Sequence, residues 1–203
     1  MDREAAAGKA RAYLTETADL MRSVVEACLN DIVEAAARIA ASFHAGGTLL
    51  ICGNGGSAAD AQHLATEFVS TLTLDHPRPA MRAIALTTDT SLLTAIANDF
   101  GAEGVFARQV DALGRPGDVL LAISTSGNSA NILRAAERAR AGGMTVIGLT
   151  GAAGGKLAPM ADVAIRVPSA VTAHIQEAHL TIEQLIALLA ERDLYPEPVS
   201  GIG

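Results

Sequence analysis

TLLICGNGGSAADAQH, residues 48–63, decides the fold. A short apolar run at 48–52 has the length of a buried strand, a turn rich in glycine follows at Gly53, Gly55 and Gly56, and a helical pattern begins at Ser57. The same order recurs in GDVLLAISTSGNSANIL (117–133), where DVLLAIS (118–124) leads through a serine-rich loop into a helix from Asn128. Further apolar runs lie at MRAIAL (81–86), MTVIGL (144–149) and DVAIRV (162–167). Helical patterns start at Ser91 and Val105, and a last helix runs from Thr172 to Asp193. Continuously apolar strands alternating with helices specify an α/β fold, a parallel sheet of about five strands flanked by helices on both faces. Ligands on such sheets bind beyond the carboxyl ends of the strands, which directs attention to the loops at 52–57 and 124–129.

Outward from this core, residues 3–44 are Ala-rich with helical periodicity until Gly46 and Gly47 stop them. One domain over 1–195 accounts for the pattern, with an N-terminal helical segment (1–45), an α/β core and C-terminal helix (46–195), and a frayed tail PEPVSGIG (196–203). Hydrophobic residues are 50% of the 203, enough for one core, and aromatics only 3%, so Ala, Leu, Ile and Val must fill it. A net charge of -7 without a basic run argues against nucleic acid as a partner. Cys28 and Cys52 are too few for a disulfide framework, no apolar stretch has membrane-spanning length, and MDREAAAGKARAYL is a charged helical start and not a signal peptide. A cytoplasmic protein is expected. The first and last helices carry more apolar face than one sheet layer needs, which predicts a symmetric helix-mediated assembly with a site shared between subunits.

Several residues carry candidate chemistry. In the first loop the glycines permit a tight turn and Ser57 is placed to cap the following helix. Ser124, Thr125, Ser126 and Ser129 surround a helix N-terminus, where free N–H groups and the helix dipole favour an anion and hydroxyls add neutral donors; an ordinary serine-rich cap is the competing reading. Neither loop has the lysine of a Walker motif or a clean dinucleotide fingerprint. His63 and Glu67, at i and i+4, share a helix face and suit a base with its neighbour, two ligands of one metal, or a plain surface contact. Asn98 and Asp99 could bond sugar hydroxyls or merely form the turn before Gly101. In HIQEAHLTIEQLIALLAER (174–192), Gln176 and Gln184 return to roughly the same face after two turns.

CGNGGSAADAQH, NDFG, GDVLLAISTSGNSANIL, LTGAAGGKLA and RVPS followed by IQEAH resemble, in order and spacing, the phosphoheptose isomerases of the sugar-isomerase (SIS) domain superfamily, over nearly the whole chain. The resemblance implies a homotetrameric aldose-ketose isomerase that converts sedoheptulose 7-phosphate into D-glycero-D-manno-heptose 7-phosphate, the first step toward nucleotide-activated heptoses. It places substrate contacts on Asn54, Gly55, Gly56, Ser57, Glu67, Asn98, Asp99 and Gln176, and phosphate contacts on Ser124, Thr125, Ser126 and Ser129. It implies a zinc ion (Zn2+) held by His63, Glu67, Gln176 and position 184, where the family has a histidine and this chain has Gln184.

That departure bears on the reaction. Moving a carbonyl between C1 and C2 through an enediol needs a base and an acid. Glu67 is the expected base, and Gln184 stands where the acid would be. An amide does not titrate, and it suits zinc less well than imidazole does. Three readings follow: an isomerase weakened at Gln184, a non-catalytic SIS protein of the kind that binds a replication initiator, and a sugar-phosphate sensor. Retention of Glu67 counts against the second.

Overall fold

The computed structural model describes residues 1–199. A parallel sheet of five strands runs through it: β1 (Leu49–Cys52), β2 (Ala83–Ala85), β3 (Val119–Ser124), β4 (Thr145–Gly151) and β5 (Val163–Val167), in the spatial order β2-β1-β3-β4-β5. Leu49, Leu50, Ile51 and Cys52 pair with Val119, Leu120, Leu121 and Ala122, and β1, β3 and most of β4 are buried throughout. Burial on both faces is the reason these strands read as unbroken apolar runs. Successive residues point to opposite faces, so Leu49, Ile51, Leu121 and Ile123 join one core and Leu50, Cys52, Leu120 and Ala122 the other.

The first core is covered by α1 (Arg3–His44), α2 (Gly56–Val69) and α6 (Thr172–Leu194), and the second by α3 (Thr90–Phe100), α4 (Ala107–Leu113) and α5 (Ala130–Ala141). Helix α1, 42 residues and roughly 60 Å long, starts where Asp2 accepts a hydrogen bond from the Ala5 amide and ends before Gly46, whose φ of 81° takes the chain out of the helix. It lies along α6 and β5, burying Cys28, Ile32, Ala35, Ala36 and Ile39.

Boundaries shift from expectation in three places. MRAIAL gives a strand only at Ala83–Ala85, because this edge strand pairs with the short β1 alone. The helix expected from Val105 begins only at Ala107, with a 3-10 turn (Ala102–Gly104) ahead of it, and the one from Asn128 begins at Ala130, Asn128 using its side chain in the loop to accept from the Lys156 amide. Of the tail, residues 196–199 are described, Val199 donating to the Pro77 carbonyl at 2.8 Å; the remainder, 200–203, lies outside the described residues.

The order 2-1-3-4-5 reverses direction between β1 and β3. Ligands in doubly wound sheets bind at that reversal, outside the carboxyl ends of the strands. The loops leaving β1 and β3 are the two that the sequence singled out.

Candidate active site

The loop after β1 turns at Gly55, which has φ 57° and serves as the N-cap of α2 without a side-chain cap bond. The helix thus begins at Gly56, and Ser57, expected as the cap, is instead buried inside the first turn. Gly56 admits the close approach of Gln176: a Cβ there would lie 2.5 Å from Nε2 of Gln176, whose amide is laid against the glycine backbone from α6 and would have to turn away. Asn54 reaches across to α5, where its amide and that of Asn131 exchange hydrogen bonds of 2.9 and 2.8 Å. This reciprocal pair ties the β1 loop to the β3 loop. Asn131 sits inside a motif quoted above but drew no attention there, because an asparagine in the first turn of a helix is an ordinary solvated residue until its partner is known.

In the β3 loop Ser124 is buried, and its hydroxyl lies 3.1 Å from that of Ser129, the N-cap of α5. Ser129 makes no side-chain cap bond, so its hydroxyl is not consumed by the helix. Ser126 Oγ accepts from the Asn128 amide at 3.1 Å. Gly127, at φ 64°, meets the Gly154 backbone so closely that no side chain fits, and the Leu157 amide donates to the Gly127 carbonyl at 3.0 Å. The segment 151–157 therefore braces the hydroxyl loop from behind. What faces outward is a helix N-terminus with hydroxyls around it, a setting for a phosphate.

Helices α2 and α6 pack on the same side of the sheet, and one turn of each supplies the titratable part of the site. Gln184 Nε2 donates to Glu67 Oε1 at 3.1 Å and also contacts His63 Nε2, while His63 Nε2 and Glu67 Oε1 are 3.2 Å apart. The His63 side chain is 45% exposed and that of Glu67 only 12%, so the carboxylate lies at the floor of the cluster. All three residues meet within one chain. The contact among these three needs no second subunit, because α2 packs directly beside α6.

Behind the cluster lie groups that sequence patterning did not single out. Glu183 is fully buried, neither of its carboxyl oxygens has a hydrogen-bond partner among the described residues, and burial together with the Asp60 carboxyl pushes it up to about 9. Asp60 is also raised, by burial, with His63 acting in the opposite direction. His179, one turn before Glu183, is buried with Nε2 3.2 Å from the Thr150 carbonyl, and burial holds it down to about 4. Both stay uncharged at neutral pH for the same reason, the cost of placing a charge in an apolar interior. Nearby, the buried guanidinium of Arg78 pairs with Glu191 at 2.9 Å and donates to the carbonyls of Glu67, Phe68 and Ser70, fixing the end of α2.

Asn98 and Asp99 occupy the last turn of α3, which runs on to Phe100, so they are helical and not turn residues. Both are exposed, and the Asn98 amide donates to Asp99 Oδ1 at 2.8 Å. Within one chain they make no hydrogen bond to His63, Glu67, Gln176 or Gln184.

Catalytic zinc is commonly held by three protein ligands drawn from His, Glu, Asp and Cys. Here one imidazole and one carboxylate converge, the other two positions being amides, and among the described residues no group of three His, Cys, Asp or Glu side chains comes together. Gln184 moreover turns its N–H end, not its oxygen, toward Glu67. The residues present do not fit a zinc ion.

Comparison with known proteins supplies the lineage. A family model described as the SIS domain matches residues 12–151. The chain is 53% identical over 179 residues to a phosphoheptose isomerase of Roseiflexus sp. (strain RS-1), covering 88% of this chain and 90% of the relative. It is 52% identical over 182 residues to one from Rhodospirillum rubrum, covering 89% and 95%. Among solved structures, a phosphoheptose isomerase from Francisella tularensis superposes with a TM-score of 0.88 at 37% identity, covering 92% of this chain and 98% of that one, and one from Neisseria gonorrhoeae with 0.85 at 43%, covering 91% and 97%.

Proposed function

The chain belongs to the phosphoheptose isomerase family of SIS-domain proteins, and from that premise we propose that it interconverts sedoheptulose 7-phosphate and D-glycero-D-manno-heptose 7-phosphate at the cluster of His63, Glu67, Gln176 and Gln184. The observation that carries this reading is the Glu67 carboxylate, recessed beside His63 and oriented by the Gln184 amide. It sits on the helix that leaves the sheet's reversal point, where a substrate held by the hydroxyl loop would present its other end.

In the reaction Glu67 takes the proton from C1 of the open-chain ketose, giving an enediol, and returns it to C2; the C2 carbonyl oxygen gains a proton and the C1 hydroxyl oxygen loses one. The carbon proton needs one base of suitable reach. The oxygen protons need a second exchanging group, and Gln184 can donate a hydrogen bond to an oxygen but cannot release the proton. Loss of one acid or base costs on the order of 10² to 10⁴ in rate, which is the expected handicap of this chain relative to a histidine at 184. Ser124, Thr125, Ser126 and Ser129 bind the 7-phosphate, Asn54, Gly55, Gly56, Ser57 and Gln176 line the sugar, and Asn98 with Asp99 add sugar contacts.

The apolar stripe Val25, Leu29 and Val33 on α1, each at least 45% exposed and spaced by one turn, supports the homotetramer as the working assembly. No helix of the described residues is long and apolar enough to cross a membrane. Turnover of sedoheptulose 7-phosphate followed by NMR tests the reading, with Glu67→Gln expected to abolish it. Undiminished conversion by that variant would remove Glu67 as the base.

A further inference from the structure

His63 Nε2 and Glu67 Oε1 stand 3.2 Å apart, a separation that admits two explanations. Two ligands of a tetrahedral zinc lie about 3.3–3.6 Å from one another, from bond lengths of about 2.0–2.2 Å. A hydrogen-bonded network gives a similar spacing. The position of Gln184 decides between them. Its amide nitrogen contacts both atoms. An amide nitrogen has two N–H groups and no acceptor capacity, so it faces acceptors only: the carboxylate oxygen, and the lone pair of an imidazole whose proton is on Nδ1. Two acceptors at this distance repel unless something positive lies between them. In a metalloenzyme that is the cation; in this chain it is the pair of N–H dipoles. A ligating glutamine would have to turn its oxygen toward the carboxylate, adding a third acceptor to the same spot.

We infer that Gln184 stands in for a metal ion: its amide cross-braces His63 and Glu67, and the site is organised without a bound divalent cation. Gln184 is then a positioning residue, holding the Glu67 carboxylate and fixing the His63 tautomer. The inference concerns this chain's site whether or not sedoheptulose 7-phosphate is its substrate, and its test reads metal and tautomer, not turnover.

The test uses the full-length protein, its Gln184→His variant and its Gln184→Leu variant. Zinc per chain is measured on the purified proteins by plasma mass spectrometry, and zinc affinity by calorimetry. Two-bond 1H–15N spectra report which imidazole nitrogen of His63 carries the proton. The native protein is expected to carry well under one zinc per chain, to keep its melting temperature in a chelator, and to show His63 protonated on Nδ1. Gln184→His is expected to bind zinc on the order of 100-fold more tightly, since even outer-shell changes move metal affinity by 10- to 100-fold. Gln184→Leu is expected to lose the fixed tautomer without gaining zinc. One tightly held zinc per native chain, stripped by a chelator with a fall in melting temperature, would overturn the inference; so would a His63 protonated on Nε2.

Discussion

Replacing Glu183 by glutamine should flatten the alkaline side of the stability curve. Glu183 is fully buried on α6, its oxygens lack hydrogen-bond partners among the described residues, and its carboxyl is held up at about 9 against an ordinary 4.5. A group whose folded value is raised contributes stability that is complete below its unfolded value and is lost as pH climbs through the folded one, so the window for Glu183 runs from 4.5 to about 9. His179, lowered to about 4 from 6.5, has the opposite slope, stability rising between those values. The two oppose one another in the acid range, and Glu183 acts without that opposition above pH 6.5. Each pH unit there is worth about 1.4 kcal/mol, so between pH 6.5 and 8.5 the native protein should lose roughly 3 kcal/mol. For a chain of this size that is a fall in melting temperature of roughly 5–10 °C. Glutamine keeps the shape of the neutral carboxyl and has nothing to ionise. Circular dichroism melts at pH 6.5, 7.5 and 8.5 should show the fall in the native protein and little of it in Glu183→Gln, with the variant the more stable at pH 8.5. A flat native profile, or two profiles falling in parallel, would refute the assignment of a neutral Glu183.

Other substitutions separate binding from stability. Gly56→Ala puts a methyl 2.5 Å from Gln176 Nε2 and must displace that amide, so KM for the sugar phosphate should rise about tenfold while the helix start, better served by alanine, leaves the melting temperature unchanged or higher. Arg78→Met strands the buried Glu191 carboxylate and uncaps the carbonyls at the end of α2; urea unfolding should show a loss of about 3–5 kcal/mol, partly restored by adding Glu191→Leu. Ser129→Ala removes a hydroxyl that the α5 N-terminus does not use, and inhibition by inorganic phosphate should weaken by roughly tenfold or more, as expected for one hydrogen bond to a charged group.

The parts of this molecule legible in the sequence are those governed by local pattern. β1 and β3 read as strands because both faces are buried, and the two ligand loops read as such because a turn at a strand's carboxyl end needs glycine or hydroxyl side chains. Contacts between elements far apart in the chain were not legible. Asn131 meets Asn54 across 77 positions, and Arg78 meets Glu191 across 113. Glu183 occupies a position that helical periodicity alone would give to either solvent or core, and only the packing of α6 against the sheet fixes it inside. Gln184 lies between these cases. Family resemblance marked it as a departure, and residue chemistry said what it could not do, which is exchange a proton. What it does instead depends on which end of the amide faces Glu67, and that orientation is set by the carboxylate, since only an N–H can face a negative oxygen at 3.1 Å. The substitution that looks like a lost ligand therefore adds two donors where the cluster has two acceptors. A histidine at 184 without a metal would satisfy at most one of them from the same nitrogen, so the amide and the metal-bound imidazole are alternative ways to hold the two acceptors together, while only the imidazole can also exchange a proton.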